Sequence, residues 1–194
     1  INPKLDALYG TEGMGSTAEN LVELHNISRS DQDQFAAWSQ QKAQTAKEAG
    51  HLAEEIAPVH IPRRKQEDLV FSEDEFIRAG TTAEILAKLK PAFKREGGSV
   101  TAGNSSGLND GACALLMSNQ TGIERYGLTP LAQIASSAVV GVEPRIMGIG
   151  PVQASTSALQ RAGLTLDQMD HIELNEAFAA QSLACTRSLG LQDD

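Results

Sequence analysis

His171-Ile172-Glu173-Leu174-Asn175-Glu176-Ala177-Phe178-Ala179-Ala180-Gln181 is where one periodicity gives way to another. His171 to Leu174 reads as a strand and Glu176 to Leu189 keeps helical spacing, so Asn175 stands where a strand ends and a helix begins. Working back from there, Pro151 to Ala162 reads as a helix, with proline in the first turn where no N–H is needed and Gly163 at its stop. Leu131 to Val142 before it reads as a buried strand. Strands separated by one helical crossover pair in parallel, with the crossover right-handed, and ligands bind at the loops on the strands' carboxyl ends. The order strand, helix, strand, helix therefore predicts an α/β fold with Asn175 at a ligand-binding edge.

Further back, Ser118 caps a helix ending at Tyr126-Gly127, and Ala112 to Met117 is an apolar run short enough for a strand buried on both faces. It follows a turn-rich stretch, Gly103 to Gly111. The first half is helical around an irregular middle. Ser16-Thr17-Ala18-Glu19 offers a capping box for a short helix to about Ile27, and Ser28 or Ser30 starts a longer one. Its small and apolar positions Phe35, Trp38, Ala43, Ala46 and Ala49 define one narrow buried face, and Gly50 suits a left-handed stop. Ile56 to Phe71 is an extended excursion with two prolines, a basic Arg63-Arg64-Lys65 cluster and two short β-like runs. Thr81-Thr82-Ala83-Glu84 offers another capping box for a helix that must end before Pro91.

Composition excludes several classes. The 194 residues are 41% hydrophobic, 21% charged and 4% aromatic, a globular balance rather than a fibre, coiled coil or disordered tail. With 16 Lys and Arg against 25 Asp and Glu the net charge is -9, which repels nucleic-acid phosphate and anionic lipid, so neither nucleic acid nor membrane is an expected partner. The longest clean apolar run, Ala112 to Met117, is six residues, far short of the roughly 20 that a membrane helix needs. Cys113 and Cys185 stand far apart without CxxC spacing, so the sequence suggests neither a disulfide framework nor a metal site, and it points to a reducing, cytoplasmic setting. The chain opens at Ile1 without an initiator Met and stops shortly after a helical pattern, and it reads as a piece of something longer.

Four features bear on chemistry, each with a plainer alternative. Asn175 at a strand end beside a helix N-terminus can anchor a water or a developing oxyanion, or it is simply an N-cap with Glu176 in the first turn. Gly103-Asn104-Ser105-Ser106-Gly107 matches a G-x-S-x-G nucleophile elbow with Ser105 as nucleophile. An elbow is followed directly by a helix and later by an acid and a histidine; here turn residues follow, so a backbone-lined ligand loop or a tight turn is the competing reading. Arg63, Arg64, Lys65 and Arg78 form either an anion-binding edge or a solvated loop. Cys113 and Cys185 read as structural.

Gly13 to Asn20, Ile27 to Asp33, Thr101 to Ala112, Glu143 to Pro151 and Asn175 to Gln181 together resemble, in order and spacing, the thiolases, the acetyl-CoA acyltransferases. The opening Asn2-Pro3 through Tyr9-Gly10-Thr11-Glu12 is most similar to thiolases acting on 3-oxoadipyl-CoA. The resemblance implies a layered αβαβα fold, incomplete here, with an inserted loop domain. Residues 1–98 would be a loop domain covering coenzyme A, 99–118 the last part of the amino-terminal half, and 119–194 the start of the carboxyl-terminal half. It implies a reaction in which 3-oxoacyl-CoA is cleaved by CoA to acetyl-CoA and a shortened acyl-CoA, or the reverse Claisen condensation. CoA is then a substrate, no resident cofactor or metal is needed, and the full-length protein is a homodimer or homotetramer.

By the same resemblance Met14, Phe93, Ala102, Ser106, Leu108, Met147, Ala177 and Phe178 match positions lining the pantetheine tunnel or acyl site, and Arg78 matches a position near the nucleotide. An apolar pantetheine arm with two amides suits Phe and Met walls with a few polar partners. Asn175 matches the residue that fixes a water in the oxyanion hole. The family's cysteine nucleophile, its Gly-His-Pro histidine and its Cys-x-Gly second cysteine have no counterpart in the chain, and would precede Ile1 or follow Asp194. The chain alone is therefore expected to be inactive. A serine hydrolase using Ser105 and a non-catalytic CoA-binding module are the alternatives.

Overall fold

α7 (Ala179–Leu189) buries every residue of its first two turns, Ala179 through Cys185, and the rest of the core is arranged around it. The computed structural model describes residues 2–192. In chain order it has α1 (Pro3–Tyr9), α2 (Met14–His25), α3 (Arg29–Glu48), a hairpin of β1 (Val59–Ile61) and β2 (Leu69–Phe71), α4 (Ala83–Leu86), α5 (Gln120–Tyr126) and α6 (Gly150–Ala162) before α7. The expected limits at Ile1 and Asp194 lie outside the described residues.

Small residues on α7 let its neighbours approach closely. Leu21 and Ile27 from the α2 region, Phe35 from α3, and Ala179, Leu183 and Ala184 from α7 form the central cluster, with Trp38, Ile146 and Ile149 packed against it. Ala18, Val100 and Ala180 form a second cluster. Pro144–Ile149, a 3-10 segment, lies on α2 and α7, and Gly148 is what allows it: a Cβ there would sit 2.8 Å from Gln181 Cγ and 2.9 Å from Leu21 Cδ1.

Several local expectations hold. Ser28 caps α3, its Oγ accepting from Asp31 N at 3.0 Å, and Gly127 and Gly163 end α5 and α6 at φ 61° and 68°. The β-like runs of the excursion form the antiparallel hairpin, with His60 opposite Val70. Other expectations need correction. α2 starts at Met14 with Gly13 as its cap, so Ser16 is inside the helix and the Ser16–Glu19 capping box does not form. α4 is capped by Thr82 rather than Thr81, and α5 by Asn119 rather than Ser118. The buried face of α3 centres on Gln32, Asp33, Phe35, Ala36 and Ala37, while Ala49 is exposed.

The larger correction concerns Ala112–Met117, Leu131–Val142 and His171–Leu174. None forms a strand, and among the described residues the only ladder is the hairpin. A strand's backbone groups are satisfied by a neighbour at ladder distance, and no ladder bonds form in these segments. Leu131–Val142 still lies against α6, as the strand-then-helix reading requires. Ser136 Oγ donates to Ala158 O at 2.5 Å and Arg161 Nη1 donates to Ser137 O at 2.6 Å.

Candidate functional site

The loop Ser99–Gly107 is held from below by a buried polar network. Glu19, 4% exposed, accepts from Ser99 N and Val100 N, both at 2.9 Å, and from Ser99 Oγ at 3.3 Å. The Ser99 hydroxyl in turn accepts from Gln32 Nε2 at 2.9 Å. Asn104 Nδ2 donates to Asp33 Oδ1 at 3.0 Å, and Arg29 Nε reaches Asp33 Oδ2 at 2.7 Å. Buried polar groups cost stability unless paired, and here carboxylates, amides and backbone N–H groups pair with one another, with Gln32 Oε1 in this network left without a partner among the described residues.

The same loop pairs upward with the segment leading into α7. Ser106 N and Oγ both donate to Ala177 O at 3.0 Å, Ser105 forms an isolated antiparallel bridge with Phe178, and Ala179 N donates to Asn104 O at 2.9 Å. Phe178 packs edge-on against Phe93, ring centroids 6.1 Å apart. Glu176 accepts from Ser39 Oγ on α3 at 2.5 Å. Two clefts flank this junction. One, of about 400 Å³, is lined by Phe35, Ser39, Phe76, Ser105, Ser106 and Glu176 among others. The other, of about 410 Å³, runs between Trp38 and Lys42 of α3, Ile172 and Leu174, and Ser182 and Leu189 of α7.

Two sequence blocks separated by some seventy positions thus form one unit. The thiolase N-terminal domain family matches residues 1–121 and the thiolase C-terminal domain family residues 128–194. This chain belongs to the thiolase family. A beta-ketoadipyl-CoA thiolase of Acinetobacter baylyi is 57% identical over 194 residues, covering 100% of this chain and 48% of that protein. An acetyl-CoA acetyltransferase of Pseudomonas aeruginosa is 58% identical over 177 residues, 91% of this chain and 45% of the relative. Among solved structures, a Bacillus anthracis acetyl-CoA acetyltransferase matches with a TM-score of 0.89 at 48% identity, over 92% of this chain and 45% of its own. Human mitochondrial 3-ketoacyl-CoA thiolase matches with a TM-score of 0.87 at 46% identity, over 92% and 44%. The fold is that of the thiolases, and the chain spans about half the length of the curated relatives it matches.

On this thiolase scaffold the expected site residues divide. Ser106, Ala177, Phe178 and Phe93 are brought together by the contacts above. Gly15, next to Met14, lies directly against the Phe93 ring, so Met14 at the start of α2 belongs to the same neighbourhood. Met147 is on the Pro144–Ile149 segment, beside the Gly148 contact with α7. Ala102 is exposed on the loop between the buried Thr101 and Asn104. Leu108 is fully exposed just past Gly107, whose Cα side abuts Phe76. Arg78 lies over the Phe76 ring at 5.8 Å, its backbone N donating to Gln40 Oε1 at 2.8 Å, while Arg63, Arg64 and Lys65 are exposed between β1 and β2. Met14, Phe93 and Met147 are about half exposed.

Asn175 is exposed, and it is not a helix cap: α7 begins at Ala179 with Phe178 as N-cap. The plainer cap reading therefore fails, and Asn175 lies just before Ala177–Phe178, the segment that pairs with Ser105–Ser106. Ser105 forms no elbow either. Its Oγ donates to Thr101 O at 2.6 Å, no helix follows before Gln120, and no histidine lines the cleft it borders. Cys185 is fully buried, its thiol pushed up by burial against the smaller opposing pull of Gln181, whereas Cys113 is exposed, not packed in an apolar strand as its run suggested. Among the described residues no cluster of His, Cys, Asp or Glu is placed to hold a metal, and no helix is long and apolar enough to cross a membrane. The residues that sequence reasoning missed are Glu19, Asp33 and Asn104. All three lie inside the blocks that carry the family resemblance, and the spacing of Glu19 from Ser16 favours a local cap instead.

Proposed function

We propose that this chain supplies the acyl-thioester face and the oxyanion-stabilising asparagine of a CoA-dependent thiolase. The reaction is cleavage of a 3-oxoacyl-CoA by CoA to acetyl-CoA and a shortened acyl-CoA, or its reversal. The observation that carries the reading is the backbone pairing of Ser106 with Ala177, which joins the two blocks the family resemblance assigns to the acyl site. Met14, Phe93, Ala102, Ser106, Leu108, Met147, Ala177 and Phe178 line the pantetheine arm and acyl group, and Arg78 faces the nucleotide. Asn175 holds a water that donates to the thioester oxygen as enolate charge develops. CoA acts as substrate, with no resident cofactor.

The 57% identity to a beta-ketoadipyl-CoA thiolase supports 3-oxoadipyl-CoA as substrate. Residues 1–98 act as the CoA-covering loop domain, 99–118 as the close of the amino-terminal half and 119–194 as the start of the carboxyl-terminal half. A cytoplasmic homodimer or homotetramer belongs to the same reading. No histidine here precedes a proline and neither cysteine sits in Cys-x-Gly, so the chain by itself binds the thioester without turning it over.

Calorimetry with acetyl-CoA tests the binding, with saturable uptake expected; CoA-dependent acyl release by the 194-residue chain well above background contradicts the assignment of turnover to other residues. In an active enzyme containing this chain, Asn175→Ala lowers kcat by about 100- to 1,000-fold with CoA affinity nearly unchanged. A loss of affinity alone contradicts the oxyanion role.

A further inference from the structure

The geometry points to Asn104 as a positioning residue: its buried side chain, anchored on Asp33, fixes the register between Ser105–Ser106 and Ala177–Phe178. The inference rests on the thioester-binding reading of those segments and names the device that aligns them. Asn104 is 2% exposed and every polar atom it has is engaged. Oδ1 accepts from Thr101 N at 2.7 Å, while Nδ2 donates to Asp33 Oδ1 at 3.0 Å and to Ser99 O at 3.1 Å. Its backbone N donates to Thr101 Oγ1 at 3.3 Å and its backbone O accepts from Ala179 N at 2.9 Å.

Only a carboxamide offers one acceptor and two N–H groups in this planar arrangement; a carboxylate of the same shape offers acceptors alone, and an aliphatic chain offers nothing. Asp33 is equally buried and is itself fixed, by Arg29, whose Nη2 donates to Leu86 O at 2.8 Å and Leu89 O at 2.9 Å. A continuous set of bonds therefore runs from the end of α4 through α3 to Asn104, charge-assisted at Arg29 and Asp33, and on from the Asn104 carbonyl to the first N–H of α7 through a neutral backbone bond. The side chain bonds to α3 and to its own loop, never to the acyl-site side chains. Its influence on them passes through the backbone, where Ser105 meets Phe178 and Ser106 meets Ala177.

Asn104→Asp tests this by setting a second carboxylate against Asp33 while leaving Thr101 N an acceptor. Adding Asp33→Asn restores an amide–carboxylate pair of reversed polarity. Single-amide hydrogen exchange on the 194-residue chain reads the register, and calorimetry with acetyl-CoA reads the site. In Asn104→Asp the Ser106 and Ala179 amides exchange about 10-fold faster, Leu21 in α2 keeps its protection, and acetyl-CoA binds about 10-fold more weakly. The double variant recovers a measurable part of both losses but not all, because Ser99 O still lacks its donor and Arg29 its carboxylate.

Native protection at Ser106 and Ala179 in Asn104→Asp overturns the proposal. So does uniform loosening that the double variant fails to reverse, which marks a residue acting on global stability alone. If Asn104→Asp does not fold, Asp33→Asn takes its place under the same readings and the same criteria. Failure of the native chain to bind acetyl-CoA overturns the thioester reading, and the amide exchange then decides the role of Asn104 by itself.

Discussion

The Leu108–Val142 region is at least as rich in apolar residues as the α2–α3–α7 region, yet the two end in opposite surroundings. In the α2–α3–α7 region, Leu21 and Leu183 are 1% exposed and Val100 is 0% exposed; in the Leu108–Val142 region, Leu131 is 100% and Val139 93% exposed. The difference lies in the backbone. A helix satisfies its own N–H and C=O groups, so α2, α3 and α7 need only side-chain contacts to bury a face. A strand-like segment has no such internal solution, and without a ladder its apolar side chains gain no second surface. Where the helical region does contain irregular backbone, at Ser99–Asn104, buried carboxylates and amides take the place of a ladder.

The contrast can be broken or sharpened by measurement. Leu183→Ala opens a cavity at the centre of the helical core and is expected to cost about 2–5 kcal/mol in urea unfolding; a cost under 1 kcal/mol would mean the core is not close-packed there. Glu19→Ala leaves the Ser99 and Val100 amides buried without acceptors and is expected to cost about 1–3 kcal/mol, with the loop's amide protection falling first in hydrogen exchange.

Asp31 is a smaller case at the edge of the same region. Burial works to raise its carboxyl, but the Arg187 hydrogen bond at 2.9 Å, with help from Ser28, outweighs it and holds the group below its ordinary value. A depressed carboxyl stabilises the fold above its unfolded pKa and loses that contribution as pH falls through the folded one. Asp31→Asn is therefore expected to cost at most about 1 kcal/mol at neutral pH, with the gap from the native chain closing in thermal melts below about pH 4 and in high salt. In the open region, Leu131→Asn and Val139→Thr should shift stability by less than about 0.5 kcal/mol while reducing self-association by light scattering. A large loss from either would show that this segment is packed in solution.

How much was legible follows from these two kinds of backbone. Ser28, Gly127 and Gly163 announced their caps and stops because capping is a matter of a few adjacent residues. Ala112–Met117 and His171–Leu174 have the composition of strands, and composition describes what a ladder needs without supplying the neighbour. Ser16–Glu19 had the right spacing for a reciprocal cap, but the Glu19 carboxylate has better partners eighty positions away, and two buried amides outcompete one solvated one. The candidate site is legible in the sequence only as separate blocks, Ser106 in one and Ala177–Phe178 in another, and the fold brings those two into contact. That Leu108 and Met147 stand open to solvent, and that Asn175 caps nothing, could not be read from their neighbours in sequence.

The sequence by itself determined most of the longer helices, the glycine stops of α5 and α6 and the membership of the thiolase family, because periodicity, capping and motif order are local or strictly linear properties. Tertiary structure alone decided where α7 begins and that Ser105–Ser106 and Ala177–Phe178 form one surface. It alone decided that Glu19, Asp33 and Asn104 hold that surface in place. Those outcomes depend on hydrogen bonds between residues 71 to 81 positions apart. A buried polar atom takes whichever partner the packed chain brings within about 3 Å, and no local pattern records that choice.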